Sequence, residues 1–148
     1  MIVVATNEER QFVEQRYKGK HIIETGVGAI NVFNALKDVN RETPIINLGF
    51  VGSPNLAKGS VVSVGEVQLY HPNVDYKEPS FKLTGNVKCY SSCDFVLEAK
   101  ERNCVFDMEL AFILAMGFTN VRSYKKVSDN LNLKEYKQST TINCLISG

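Results

Sequence analysis

The sequence contains no apolar run approaching the roughly 18 residues that a membrane span requires. Its start, MIVVATNEER, has no basic segment and turns charged too soon for a secretory leader. It has no excess of positive charge either. Seventeen Lys and Arg face sixteen Asp and Glu, a net charge of +1, so there is no broad basic field with which to hold nucleic acid. Histidine is confined to His21 and His71, and Cys89, Cys93, Cys104 and Cys144 form neither a CxxC pair nor a zinc-type spacing. No metal and no cofactor are therefore expected, and the cysteines are expected to be reduced, buried and inert. Repeats, low-complexity segments and charge blocks are also missing. What is present is ordinary: 148 residues, 44% hydrophobic and 22% charged. That is the profile of one domain, residues 1–148, with one core and a cytoplasmic setting.

Along the chain, strand-like and helix-like segments alternate. Ile2-Val3-Val4-Ala5-Thr6 is a β-branched run suited to a buried strand. Asn7 is placed to cap a helix starting at Glu8-Glu9, with Phe12, Val13 and Tyr17 as its apolar stripe. His21 to Thr25 predicts a second strand ending at Gly26-Val27-Gly28. Ile30, Val32, Phe33 and Leu36 then recur at helical spacing through Asp38. Pro44 to Leu48 predicts a third buried strand, followed by Gly49 and Gly52. The expected fold is α/β, a single domain with a central mixed, twisted β-sheet flanked by helices.

The second half is less regular. Strands are predicted over residues 60–70, 87–91 and 120–127, the last ending at Ser128-Asp129, and a final one over residues 141–146. Residues 71–86 read as a loop. A helix is expected from about Asp107 to Met116, stopped by Gly117.

In open α/β sheets, ligands bind beyond the carboxyl ends of strands. Glu9, Gly26 and Gly28, residues 47–52, and Asp129 all fall at such ends, and Asp107 and Glu109 flank Met108 at a helix start. Carboxyls converging on one pocket can share acid–base work, because burial and mutual repulsion separate their pKa values. Acidic residues in a first helical turn equally serve the helix dipole. A tight turn into a helix explains Gly-Val-Gly without any phosphate. Phe95 suits either an ordinary core or a stacking platform. The residues alone leave these alternatives open.

In their order, several short segments resemble the nucleoside phosphorylase/nucleosidase superfamily, most closely its methylthioadenosine/S-adenosylhomocysteine nucleosidase branch. They are Ile2 to Glu9 (IVVATNEE), Glu24 to Gly28 (ETGVG), Ile46 to Gly52 (INLGFVG), the strand to Tyr70-His71, Ser92 to Val96 (SCDFV), Asp107-Met108-Glu109 and Val127-Ser128-Asp129. The resemblance implies hydrolysis of the N-glycosidic bond of a purine nucleoside, of the 5′-modified adenosine type, by a homodimer. It implies that Glu9 activates water, that Asp129 protonates the base, and that Met108 and Glu109 hold the sugar. It also implies that Phe95 and the Val96 backbone meet the base. Gly49, Phe50 and Lys125 occupy further positions of the family's substrate site.

Four departures stand out. Asn47 replaces an arginine that phosphate-using members present, which favours hydrolysis over phosphorolysis. Phe50 replaces a small residue, Lys125 an arginine, and Asp107 a glutamate. Family chains are longer, chiefly between His71 and Ser91 and after Asp129. A phosphorylase and a catalytically silent nucleoside-binding homologue are the alternatives. The neutral balance of charge and the missing apolar runs imply no nucleic-acid or membrane partner.

Overall fold

The β-branched opening folds as β1 (Ile2–Val4), buried throughout. In a computed structural model, which describes residues 1–71 and 78–139, its side chains serve two cores. Val3 joins the main cluster, while Ile2 and Val4 pack with Val13 in a second one. This is how a sheet covered on both faces appears at its centre. The helix α1 (Asn7–Arg16) follows, and its cap is Thr6 rather than Asn7. The Thr6 hydroxyl accepts the Glu9 N–H at 3.2 Å and the Glu9 carboxylate accepts the Thr6 N–H at 3.0 Å. That reciprocal capping box outcompetes an asparagine one residue later.

Next come β2 (Ile22–Glu24), α2 (Ala29–Leu36) and β3 (Ile45–Gly52). The third strand runs further than its apolar segment suggested. Gly49 and Gly52 lie within it, because β8 (Val121–Asp129) pairs with it in parallel along its length. Between them in the chain are β4 (Val61–Leu69), β5 (Ser80–Lys82), β6 (Val87–Ser91), β7 (Cys104–Asp107) and α3 (Leu110–Ala115), and α4 (Leu133–Ser139) follows β8.

The sequence reading did not anticipate β5, β7 or α4. The expected helix start at Asp107 is corrected: Asp107 ends β7, and α3 begins at Leu110. All four residues of β7 are buried, and so short a run cannot be told from a helix by its pattern when both faces are covered. The expected strand over residues 141–146 lies outside the described residues.

The sheet is mixed, as expected, and it also closes. β1 lies between β2 and β3 in parallel. From β3 the ladders run to β8, from β8 to β4, from β4 to β6 and from β6 to β7, and Gly52 opposite Phe106 joins β7 back to β3. The main core fills one side of this circuit, where Val32 and Leu36 of α2 meet Leu110, Ile113 and Leu114 of α3. Cys89 and Cys104 are buried free thiols and match the expectation of inert core cysteines. Cys93 does not, because it is exposed in the segment after β6.

Candidate active site

The carboxyl ends of β1, β3, β7 and β8 converge on a cleft of about 60 Å³. It is lined by Glu9, Glu109 and Asp129, by Phe50, Phe95 and Met108, and by Tyr136 of α4, among others. The carboxyl of Glu9 thus meets those of Glu109 and Asp129, which lie 100 and 120 residues further along the chain, at one place flanked by aromatic and thioether surface.

Glu9 reaches the cleft from the first turn of α1. Its Oε1 accepts the N–H groups of Ala5 at 2.8 Å and Thr6 at 3.0 Å, and its Oε2 accepts that of Phe50 at 2.7 Å. The carboxyl is buried, and burial raises its pKa above the ordinary value, against the Phe50, Ala5 and Thr6 N–H groups and the charge of Lys125. The group is firmly oriented and holds a proton more tightly than an exposed glutamate.

Glu109 lies between β7 and α3, and its Oε2 accepts the Gly28 N–H at 2.9 Å. Gly28 holds a φ of +90°, which turns that N–H out of the β2–α2 connection. The Gly-Val-Gly turn therefore serves a carboxylate of the same chain. Burial, reinforced by Asp107, pushes the Glu109 carboxyl up to about 8.

Asp129 ends β8. Its Oδ2 accepts the N–H groups of Leu131 at 2.9 Å and Asn132 at 3.3 Å, and the Ser128 hydroxyl lies 2.9 Å from Oδ1. Burial raises its pKa above the ordinary aspartate value in spite of these donors.

Asp107, which also borders the cleft, ties the elements together. Its carboxylate accepts the Leu110 N–H at 2.9 Å, the Ser91 hydroxyl, and the Lys125 ammonium at 3.2 Å. It thus caps α3 from two residues further back than a usual cap, leaving the neighbouring Glu109 side chain free to face the cleft.

Of the residues nominated from sequence, Glu9, Phe50, Phe95, Met108, Glu109 and Asp129 line the cleft. Val96 borders an adjoining small cavity with Phe95 and packs on Cys104, Phe106 and Leu131. Gly49 and Lys125 lie outside the cleft, behind the Glu9 carboxyl, because β3 and β8 aim these positions at α1. Tyr136 was missed. Its ring meets Phe95 edge-to-face at 5.5 Å between centroids. The signal for its helix was available: Asn132 accepts the Glu135 N–H at 3.1 Å, an Asn-x-x-Glu start of the capping type.

A larger groove of about 330 Å³ runs between α1 and the β3–β8 edge, lined by Phe12, Tyr17, Leu48, Tyr124 and Lys126, with Glu9 and Phe50 shared with the cleft. Only Glu9 among the three carboxyls reaches it, so it lacks the convergent acid–base groups. Tyr70 and His71 are placed elsewhere. Tyr70 packs on Tyr90 and Phe106 and donates to Glu101 at 3.1 Å, and His71 pairs with Glu78 at 2.9 Å.

No family model matches the chain, and no curated protein matches it. Solved structures do. An MTAN from Chlamydia trachomatis bound to adenine superposes with a TM-score of 0.77 at 14% identity, over 98% of this chain and 90% of that one. The 5′-methylthioadenosine/S-adenosylhomocysteine nucleosidase of S. pneumoniae, with a transition-state inhibitor, gives 0.75 at 16% identity, over 97% and 92% of the two chains. The Neisseria meningitidis nucleosidase of the same name, in complex with methylthio-immucillin-A, gives 0.73 at 16% identity, over 99% and 96%. The identities are low and the spatial agreement covers nearly the whole chain: this protein has the fold of the methylthioadenosine/S-adenosylhomocysteine nucleosidases.

Proposed function

We propose that the protein is a purine nucleosidase, hydrolysing the N-glycosidic bond of a 5′-modified adenosine such as methylthioadenosine or S-adenosylhomocysteine. The observation that carries this reading is the convergence of Glu9, Glu109 and Asp129 on one cleft in a fold whose solved examples include adenine-bound and inhibitor-bound nucleosidases.

The chemistry follows from the residues. Asp129, whose affinity for a proton is raised by burial, donates one to N7 of the purine. The C1′–N9 bond breaks with its electron pair moving onto the base, leaving a cation-like sugar. Glu9, ionised, takes a proton from a water whose oxygen bonds to C1′. Glu109 accepts the ribose hydroxyls, Met108 packs on the sugar, and Phe95, with Tyr136 beside it, covers the base. Phe50 closes the wall next to Glu9. Val96, beside Phe95, supports the base platform. Lys125 acts from behind, through its charge on Glu9 and Glu109. Among the described residues lining the cleft there is no lysine or arginine. That favours water over phosphate as the acceptor.

The reading includes a homodimer. Ile30 and Phe33 of α2 are 77% and 54% exposed, next to Val27, which is itself 44% exposed and lines the cleft. A second copy on this face would wall the sugar end of the site. It also includes a cytoplasmic location, with which the free thiols Cys89, Cys93 and Cys104 accord.

The test is chromatographic. Incubation with methylthioadenosine in phosphate-free buffer should release adenine, and an Asp129→Ala variant should release none. A rate that requires phosphate would indicate a phosphorylase. Calorimetric binding without turnover over hours would indicate a silent homologue. Sedimentation at micromolar concentration should show a dimer.

A further inference from the structure

Two glycines lie within β3, and in each case the volume of a side chain is taken by a carboxyl. A Cβ at position 49 would fall 2.7 Å from Glu9 Oε2 and 3.5 Å from Lys125 Nζ. One at position 52 would fall 2.9 Å from Asp129 Oδ2 and 3.0 Å from the Leu131 side chain. Both distances to oxygen are shorter than real Cβ contacts. Neither glycine has a positive φ, so backbone freedom does not explain them. Glycine inside a strand weakens it, and close approach of another group is the usual reason for keeping one. The ladder between β3 and β8 is also irregular between Val51 and Gly52, the kind of break that re-aims groups beside a site.

We infer that Gly49 and Gly52 are positioning residues, two seats on one strand that set the Glu9 and Asp129 carboxyls at their places in the cleft. The kinetic part of this inference rests on the nucleosidase reading; the structural part does not.

In each case the atom that must yield is the far end of a flexible side chain, so an added methyl shifts a carboxyl before it shifts the fold. At position 49 the shift lengthens the bond that Oε2 accepts from Phe50, whose N–H lies at 2.7 Å. At position 52 it disturbs the bonds Oδ2 accepts from Leu131 and Asn132. The charged and titratable groups facing Glu9 are Lys125 on β8, Glu109 after β7 and Tyr136 on α4; those facing Asp129 are Glu135 and Tyr136, both on α4. Neither substitution changes any of them.

The test is a pair of variants read by pH profile. Gly49→Ala should raise the acid limb of kcat/KM, where Glu9 ionises, and leave the alkaline limb in place. Gly52→Ala should raise the alkaline limb, where Asp129 loses its proton, and leave the acid limb. Each should lower kcat about 10- to 100-fold, the usual consequence of a small misplacement at a reacting centre. Carbon-13 titration of the two carboxyls should show the same one-to-one pattern in the absence of substrate.

If the parent protein releases no base from any nucleoside, the nucleosidase reading fails while the titration still decides the seats. If both limbs and both titrations stay at parent values, or if each variant moves both carboxyls equally, the inference is overturned. Two double variants cover the case of poor folding. Gly52→Ala with Leu131→Ala removes the apolar clash and keeps the carboxyl one. Gly49→Ala should cost stability when Glu9 is present and little when Glu9 is already Ala; equal cost in both backgrounds would also overturn the proposal.

Discussion

The Nζ of Lys125 lies 3.2 Å from Asp107 Oδ2, with side-chain exposures of only 2% and 1%. Burial works against the ammonium charge, yet Asp107, Cys89, Glu109 and Glu9 together hold its pKa above the ordinary lysine value. One buried cation therefore offsets three carboxyls. Removing a single member of a buried pair strands the other in low dielectric.

Lys125→Met should destabilise the fold by about 3–5 kcal/mol in urea denaturation. Asp107→Asn should cost less, because its remaining oxygen can still accept from Leu110 and because Glu9 and Glu109 still face the ammonium. The reverse order would show that the charge of Asp107, and not the cap its oxygen provides, dominates.

Glu109 makes stability depend on pH. Its folded-state value of about 8 lies above the ordinary 4.5, so the folded state binds the proton more tightly than the unfolded one. The stability it contributes is fully present below pH 4.5 and is lost as pH rises through about 8. Glu109→Gln should remove that loss, its gain over the parent growing from about pH 5 to about pH 8 and levelling off at roughly 5 kcal/mol. Thermal melts across that range check it, and parallel curves for the two proteins would count against a raised Glu109.

The same titration should reach the substrate. An ionised carboxylate accepts two hydroxyls where a protonated one accepts less readily. KM for methylthioadenosine should fall as pH rises toward 8 in the parent and stay flat in Glu109→Gln. Initial-rate kinetics at fixed ionic strength separate this from changes in kcat.

Ser128 should tune the acid. Its hydroxyl favours the ionised form of Asp129, from 2.9 Å. Ser128→Ala should raise the Asp129 pKa further and move the alkaline limb of kcat/KM to higher pH, with kcat changed by less than about tenfold. An unmoved limb would mean that another group gives the base its proton.

Phe95 and Tyr136 should act as one surface. Edge-to-face aromatic pairs contribute about 0.5–1.5 kcal/mol beyond their buried area. Tyr136→Ala should therefore raise KM about three- to tenfold, with a small effect on melting temperature. A double-mutant cycle with Phe95→Ala should show the two losses to be less than additive, and full additivity would place Tyr136 outside the base contact.

Much of the fold was legible because local pattern and burial coincide. The run at residues 2–4, the helical recurrence through Val32 and Leu36, and the long strand ending at Asp129 each carry their own periodicity. The same holds for Glu9 and Asp129, which follow recognisable strands, whereas Glu109 was legible only as an acid at a helix start. Less was legible where partners lie far along the chain. The four residues of β7 have too little length to declare a period, and α4 was obscured by the apolar tail after it, although Asn132 and Glu135 marked its start.

The chain alone determined which acids were available and that each stood at an element boundary, since alternation, caps and turns are properties of neighbours in sequence. Tertiary structure decided what those acids are. Glu9 meets the Phe50 N–H across 41 residues, and Glu109 meets that of Gly28 across 81. Whether a carboxyl holds its proton depends on the solvent it loses and the donors it gains. Asp129 finds its donors in Ser128, Leu131 and Asn132, but the burial of all three acids, and the Phe50 and Gly28 donors, come only from segments that the fold brings together.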